Sequence, residues 1–241
     1  MVFQTVGLVD MREQAVAEYR EAYRQEEIPA NYRGLVHLCF TFASGIAVVI
    51  YSAWQLDQVQ AAQWLTIPIT LLYANLAEYL GHRFVMHRPV PGLGLLYKRH
   101  SGQHHRFFSH QHMELDGIRD LKVVLFPPVL MVFFVLAFAL PVGIALSWLF
   151  AGNVGFLFAA TAVAYFLNYE ILHLAYHLPR DSWLGRRGLV SRLRALHTSH
   201  HDPRLMSNWN FNITYPVSDL LFRTFRGSAA SRADPPAAST Y

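Results

Sequence analysis

The chain has a single cysteine, Cys39, and it lies inside an apolar run. One thiol excludes a disulfide framework, a cysteine-built zinc site and a thiolate-ligated iron–sulfur cluster. Charge is scarce as well. Asp, Glu, Lys and Arg make up 15% of the 241 residues, against 53% hydrophobic. That balance favours a membrane protein over a soluble one. The N-terminus has no short apolar core behind a basic start, and Asp10, Glu13, Glu18 and Glu21 come early, so no cleavable signal peptide is expected. There is no Ser-His-Asp set for acyl transfer and no phosphate loop. No nucleic-acid motif accompanies the net charge of +4. The arginines gather in loops beside apolar segments, where they anchor and orient.

What the chain has in excess is histidine. Ten of its thirteen fall into four clusters: His82 and His87; His100, His104 and His105; His173 and His177; His197, His200 and His201. Each cluster sits at or beyond the end of an apolar stretch long enough to cross a bilayer, for which about 20 residues suffice. Spans are expected at 34–54, 62–80 and 154–176. The stretch 121–150 is apolar throughout but carries Pro127, Pro128 and Pro141. It reads as one tilted, kinked crossing or a broken one. If all four clusters build one site, an even number of crossings must separate residues 82 and 173. Four spans with both termini on one side satisfy this. The basic residues in 81–122 and after residue 180 place that side in the cytoplasm, because the opposite turns carry no Lys or Arg.

The expected fold is therefore all-α, a four-span transmembrane helical bundle with a cytosolic helical cap that holds the histidines. Residues 1–33 read as an N-terminal segment with an amphipathic helix over 8–27, on the spacing of Leu8, Met11, Ala15, Tyr19 and Ala22. It either lies in the membrane interface or packs on the cap. Residues 34–227 form the membrane-embedded domain. The tail 228–241, rich in Ala, Ser and Pro, is expected to be disordered.

The spacing within the clusters is helical. His173 and His177 are four apart, His197, His200 and His201 follow i, i+3, i+4, and His100 and His104 are again i, i+4. His82 and His87 are five apart, about 140° around a regular helix. A π-bulge between them would restore a common face. Imidazole suits zinc, copper, iron and nickel. One ion takes four to six ligands, so ten imidazoles can hold two ions with room for oxygen or water. Attack on an inert C–H bond calls for such a redox metal. Metal-bound histidines give their other ring N–H to a carboxylate or carbonyl. Glu78, Glu170 and Asp202 stand close enough in sequence for that role, with Asp116 and Asn208 as further candidates. His110 and His112 continue no helical pattern with the ten, and His37 begins the first span as an interfacial residue. A rival of another class is a non-catalytic bis-histidine haem or metal-binding membrane protein, though haem needs only two axial ligands.

The order and spacing of the ten histidines resemble the fatty acid hydroxylase superfamily, which includes sterol desaturases and C4-methyl sterol oxidases. That family shows H-x(3,4)-H, then H-x(2,3)-H-H, then H-x(3)-H, then a second H-x(2,3)-H-H. The closing segment also looks like the family's, with Pro216, Asp219, Phe222 and Thr224 in place. The resemblance covers about residues 40–226. It implies two iron ions held by the ten histidines, with zinc a possible replacement in purified protein, and O2 as co-substrate. It implies hydroxylation of a lipid or fatty acyl chain, with desaturation or C4-methyl oxidation as near alternatives. With no fused cytochrome b5 domain, electrons are expected from a separate protein of ferredoxin or cytochrome b5 type. The site would face the cytoplasm from a bacterial inner membrane, or from the endoplasmic reticulum in a eukaryote.

Overall fold

The structure is a computed structural model that describes the main chain of residues 2–227 and side chains from Gln14 onward. The expected disordered tail 228–241 lies outside the described residues, as do the side chains of Leu8 and Met11. The described residues are helical, with no strand among them. The principal helices are α1 (Val2–Glu26), α2 (Gly34–Trp54), α3 (Thr66–Gly81), α4 (Pro128–Leu149), α5 (Gly152–His177) and α6 (Gly188–His200).

Three of these, α2, α4 and α5, are long and apolar enough to cross a membrane. Their sequences explain why they need lipid. In α2 the buried residues are Gly34, His37, Thr41, Gly45 and Ser52, while Leu35, Val36, Phe40, Ile46 and Ile50 point outward. Small and polar groups inside with large apolar groups outside is the reverse of a water-soluble helix. In water each outward Leu, Ile or Phe would forfeit ~1.5–3 kcal/mol of burial. The same inversion holds in α4, where Val129, Phe133, Leu136 and Trp148 are exposed and Met131, Ala139 and Gly143 are buried.

The stretch 121–150 resolves into pieces for a physical reason. A short helix, Leu121–Val124, stops before Pro127 and Pro128, and Pro128 then opens α4 at a position where its missing N–H costs nothing. Pro141 falls inside α4. The turn just before it, Val135–Ala139, widens to i→i+5 spacing, which accommodates the carbonyl that Pro141 cannot serve. The result is one crossing-length helix. The segment expected to span at 62–80 is different. Its α-helical part, α3, is 16 residues long, preceded by a 3-10 turn over Ala61–Leu65 and followed by a π turn over His82–Met86. It is not among the three helices that meet both length and hydropathy for a span.

The chain divides into two compact units. One comprises residues 30–78 and 116–174. Its core is Met131, Ala139 and Val163, packed with Val48, Phe134 and Phe166. Aromatic stacking adds to it, with Phe134 on Phe166 at 5.1 Å and Phe126 on Tyr169 at 5.3 Å. Gly155 permits α4 and α5 to approach closely. A Cβ there would sit 2.2 Å from the Gly143 carbonyl and 2.0 Å from Ser147 Oγ. Two polar side chains of this unit meet on one tyrosine. Asn75 Nδ2 donates to Tyr165 at 3.0 Å, and Tyr165 donates to Glu78 at 2.5 Å.

The other unit comprises the chain up to Pro29, Tyr79–Leu115, and the chain from Ala175 onward. Here α1 packs on the histidine-bearing segment. Tyr23 meets the edge of Phe107 at 5.4 Å, Arg20 stacks over Phe107 and donates to the Glu114 carbonyl, and Tyr19 donates to the Gly102 carbonyl. Of the two expected placements for this helix, packing on the histidine cap is the one these contacts support.

Candidate metal centre

Two π turns aim the first two histidine clusters. His82–Met86 is π-helical, and so is Lys98–His104, where the His105 N–H bonds to the His100 carbonyl five residues back. A π turn carries more residues per revolution than an α turn, so residues five apart come nearly above one another. That brings His87 beside His82 and His105 beside His100. The sequence reading placed a bulge only in the first cluster and paired His100 with His104 on a regular helix. In the structure that i, i+4 pair is split.

Nine histidines gather into two groups. The first is His82, His87, His100, His105 and His200; the second is His104, His177, His197 and His201. Within each, one nitrogen per ring lies within 4.8 Å of all the others. The facing atoms are Nε2. His82 and His100 meet at 2.8 Å, His87 and His200 at 2.9 Å, and His100 and His105 at 3.0 Å. In the second group His197 lies 3.1 Å from both His177 and His201, and His104 lies 3.2 Å from His201. The groups adjoin, since the His105 ring stacks on His201 at 4.3 Å. Helix α6 serves both, with His200 in the first group and His197 in the second.

The opposite ring nitrogens explain what such crowding requires. His177 Nδ1 donates to the Met113 carbonyl at 2.7 Å, His201 Nδ1 to Phe108 at 2.7 Å, and His200 Nδ1 to Trp209 at 2.9 Å. His82 Nδ1 donates to the Phe211 carbonyl. A neutral ring that donates from Nδ1 bears a lone pair on Nε2. His87 Nε2 therefore faces two lone pairs, those of His82 and His200, and one proton cannot satisfy both. His197 Nε2 faces those of His177 and His201 in the same way. Extra protons do not resolve this. Burial pushes His100, His105 and His201 well below the ordinary histidine value, with neighbouring imidazoles adding to the effect, and burial lowers His200 to about 4. Converging lone pairs on neutral imidazoles are what a cation would satisfy, so the donor set fits a metal ion in each group.

The carbonyls that hold the rings are themselves held. Asn210 takes φ 58°, a left-handed conformation that Asn tolerates, so the carbonyls on either side of it, Trp209 and Phe211, serve His200 and His82. Its side chain donates to Ser199 Oγ at 3.0 Å and accepts from the Arg226 N–H at 2.8 Å. Asp219, fully buried, accepts from the N–H groups of Phe211 at 3.0 Å and Asn212 at 2.7 Å and from Thr224 Oγ1 at 2.7 Å. One carboxylate thus fixes the peptide whose carbonyl orients His82. Sequence spacing missed this role. The signal available was the closing segment, where Asp219 and Thr224 had been noted without a function.

The remaining expected residues lie as follows. His173, buried one helical turn before His177, belongs to neither of the two groups. Glu78 accepts from Tyr165, and Glu170, fully buried, accepts from the Phe126 N–H at 3.1 Å. Asp202 is engaged by Arg204 at 2.6 Å, Asp116 gives its N–H to Asp120, and Asn208 is exposed. For His82, His177, His200 and His201 the ring partner is a main-chain carbonyl, not one of these side chains. His110 and His112 are half-buried. His37 is buried, held by Tyr32 and the Phe126 carbonyl. His105 reaches a cavity of about 670 Å³ that Tyr19, Ser109 and His110 also line.

Comparison with known proteins gives one finding on kinship. A family model described as fatty acid hydroxylase matches residues 67–224, a stretch that contains all ten clustered histidines and Asp219. No curated protein and no solved structure matches the chain.

Proposed function

This chain belongs to the fatty acid hydroxylase family, and from that premise we propose that it is a membrane-bound di-iron oxygenase that hydroxylates a C–H bond of a lipid or fatty acyl chain. The observation that carries the reading is the pair of adjoining all-imidazole groups. His82, His87, His100, His105 and His200 would hold one ion; His104, His177, His197 and His201 would hold the other. His173 stands as a tenth ligand only on its spacing from His177. Two irons there would supply the redox power to activate O2 against an unreactive C–H bond. The protein's share is to keep the imidazoles neutral by burial, to fix the tautomers of His82, His177, His200 and His201 through main-chain carbonyls, and to wall the second group with Phe108, whose ring meets His177 at 4.0 Å and His104 at 5.2 Å. His105 lines the cavity through which a substrate reaches the centre.

Three crossing-length helices make this a membrane protein. We take the helical run from Ala61 to Met86, built on α3, as the fourth crossing, with the histidine side in the cytoplasm as the loop arginines indicate. Electrons come from a separate donor protein.

The reaction is tested by turnover under 18O2. Hydroxylation consumes O2, two electrons and two protons, leaving one labelled atom in the lipid and one in water. Desaturation consumes the same reagents but sends both labelled atoms to water. Label in a lipid hydroxyl is the expected result, and an unlabelled alkene would replace hydroxylation with desaturation at the same centre.

A further inference from the structure

The far side of α6 borders a cavity that the metal centre does not use. It has a volume of about 500 Å³, and its lining includes Arg180, Arg186, Arg194 and Arg204. One carboxylate, Asp202, shares that lining, and Arg204 already occupies it through three hydrogen bonds. Among the described residues, the guanidinium groups of Arg180 and Arg186 meet no carboxylate. Glu114 acts on Arg194 through space, but its hydrogen bond is to the main-chain N–H of Arg180. Arg194 is 5% exposed. Its Nη2 is fixed on the carbonyls of Ala175 and Leu178, and its buried Nε has no partner. A buried, immobilised guanidinium with an idle N–H, flanked by two further unpaired arginines, is a site waiting for an anion.

We infer that this cavity binds a phosphate group, the polar end of the acyl substrate, through Arg180, Arg186 and Arg194. A carboxylate fills one guanidinium fork with its two oxygens. Three arginines on one cavity need more acceptor atoms than that, and a phosphate group supplies them. The position suits a substrate. Asp202, Arg204 and His110 line both this cavity and the one that reaches His105, so a molecule anchored by its phosphate is held next to the way in. The inference rests on the hydroxylase reading only in naming the ligand as substrate. The phosphate could belong to a membrane lipid or to a soluble carrier of acyl chains, and the recognition chemistry is the same.

The test is binding to the full chain in neutral detergent micelles, read by microscale thermophoresis, with dioleoyl phosphatidate, dioleoylglycerol and glycerol 3-phosphate as probes. Phosphatidate is expected to bind at least ~100-fold more tightly than dioleoylglycerol, about tenfold for each exposed arginine. The double variant Arg180→Gln/Arg186→Gln should erase that preference. Arg192→Gln, on α6 with Arg194 but outside the lining, should keep it. Glycerol 3-phosphate that binds with the same arginine dependence, where phosphatidate does not, would place the phosphate on a soluble carrier and sustain the assignment. Equal binding of phosphatidate and dioleoylglycerol with no binding of glycerol 3-phosphate would overturn it. So would an equal loss in Arg192→Gln, which would reduce the effect to general surface charge. Since binding is read without turnover, a failure here is distinct from a failure of the 18O2 experiment.

Discussion

At the scale of single residues, the site depends on neutral imidazoles whose tautomers are set from behind. Asp219 acts on the first group at one remove, through the Phe211 peptide. Replacing it with Ala leaves the N–H groups of Phe211 and Asn212 buried without an acceptor, a cost of ~1–3 kcal/mol. It also frees the Phe211 carbonyl that orients His82. Asp219→Ala should therefore lower metal in the first group more than in the second, which metal analysis of this variant combined with a His197→Ala background would show. A second expectation concerns pH. His200 is lowered to about 4 by burial, so an unfolded chain takes up its proton near 6.5 and the folded chain does not. The metal-free protein should hold its full stability above about pH 6.5 and lose it as pH falls towards 4. Thermal unfolding in detergent with chelator checks this, and a midpoint that stayed flat over that range would contradict the burial. The clustered histidines themselves were legible in sequence because imidazole has few competing roles at repeated helical spacing, and nine of the ten fall into the two groups. The carbonyls of Phe108, Met113, Trp209 and Phe211 were not, since every residue has a carbonyl and only the folded path of the main chain selects these four.

At the scale of elements, the two π turns decide which histidines meet. The i, i+5 spacing of His82 and His87 was legible as a distortion. The same spacing of His100 and His105 was hidden, because His104 offered an i, i+4 partner that satisfied the regular helix. Helical periodicity cannot choose between two overlapping pairs when the turn itself is variable. Deleting Val85 would convert the first π turn to an α turn and place His87 one step closer to His82. Their spacing would then match a regular helix, but Arg88 and everything after it would shift by about 100° around the axis. Loss of metal from the first group with an intact helical circular dichroism spectrum is the expected outcome. Full metal in that variant would mean that the wide turn is incidental. The carboxylates Glu78 and Glu170 read in sequence as partners of the histidines, because an ionisable group in an apolar helix is costly. Glu78 is occupied by Tyr165 and Glu170 by the Phe126 main chain. These partners lie far off in the sequence, which conceals them, and only one oxygen of Glu170 is served.

At the scale of the whole molecule, membrane residence was plain from composition, and α2 matched its expected bounds. The crossing count is less plain, because α3 is short and both of its ends are wound differently from an α-helix. Local winding depends on what each turn must aim at, which hydropathy does not encode. The central claim is that histidines from four separate stretches build two neighbouring metal sites. Elemental analysis of the purified chain, set beside His200→Ala and His197→Ala, tests it most directly. Two metal ions per chain are expected in the unaltered protein and about one in each variant, from different groups. An unaltered protein that binds no metal after reconstitution with ferrous iron, or a His200→Ala chain that keeps two ions, would contradict it.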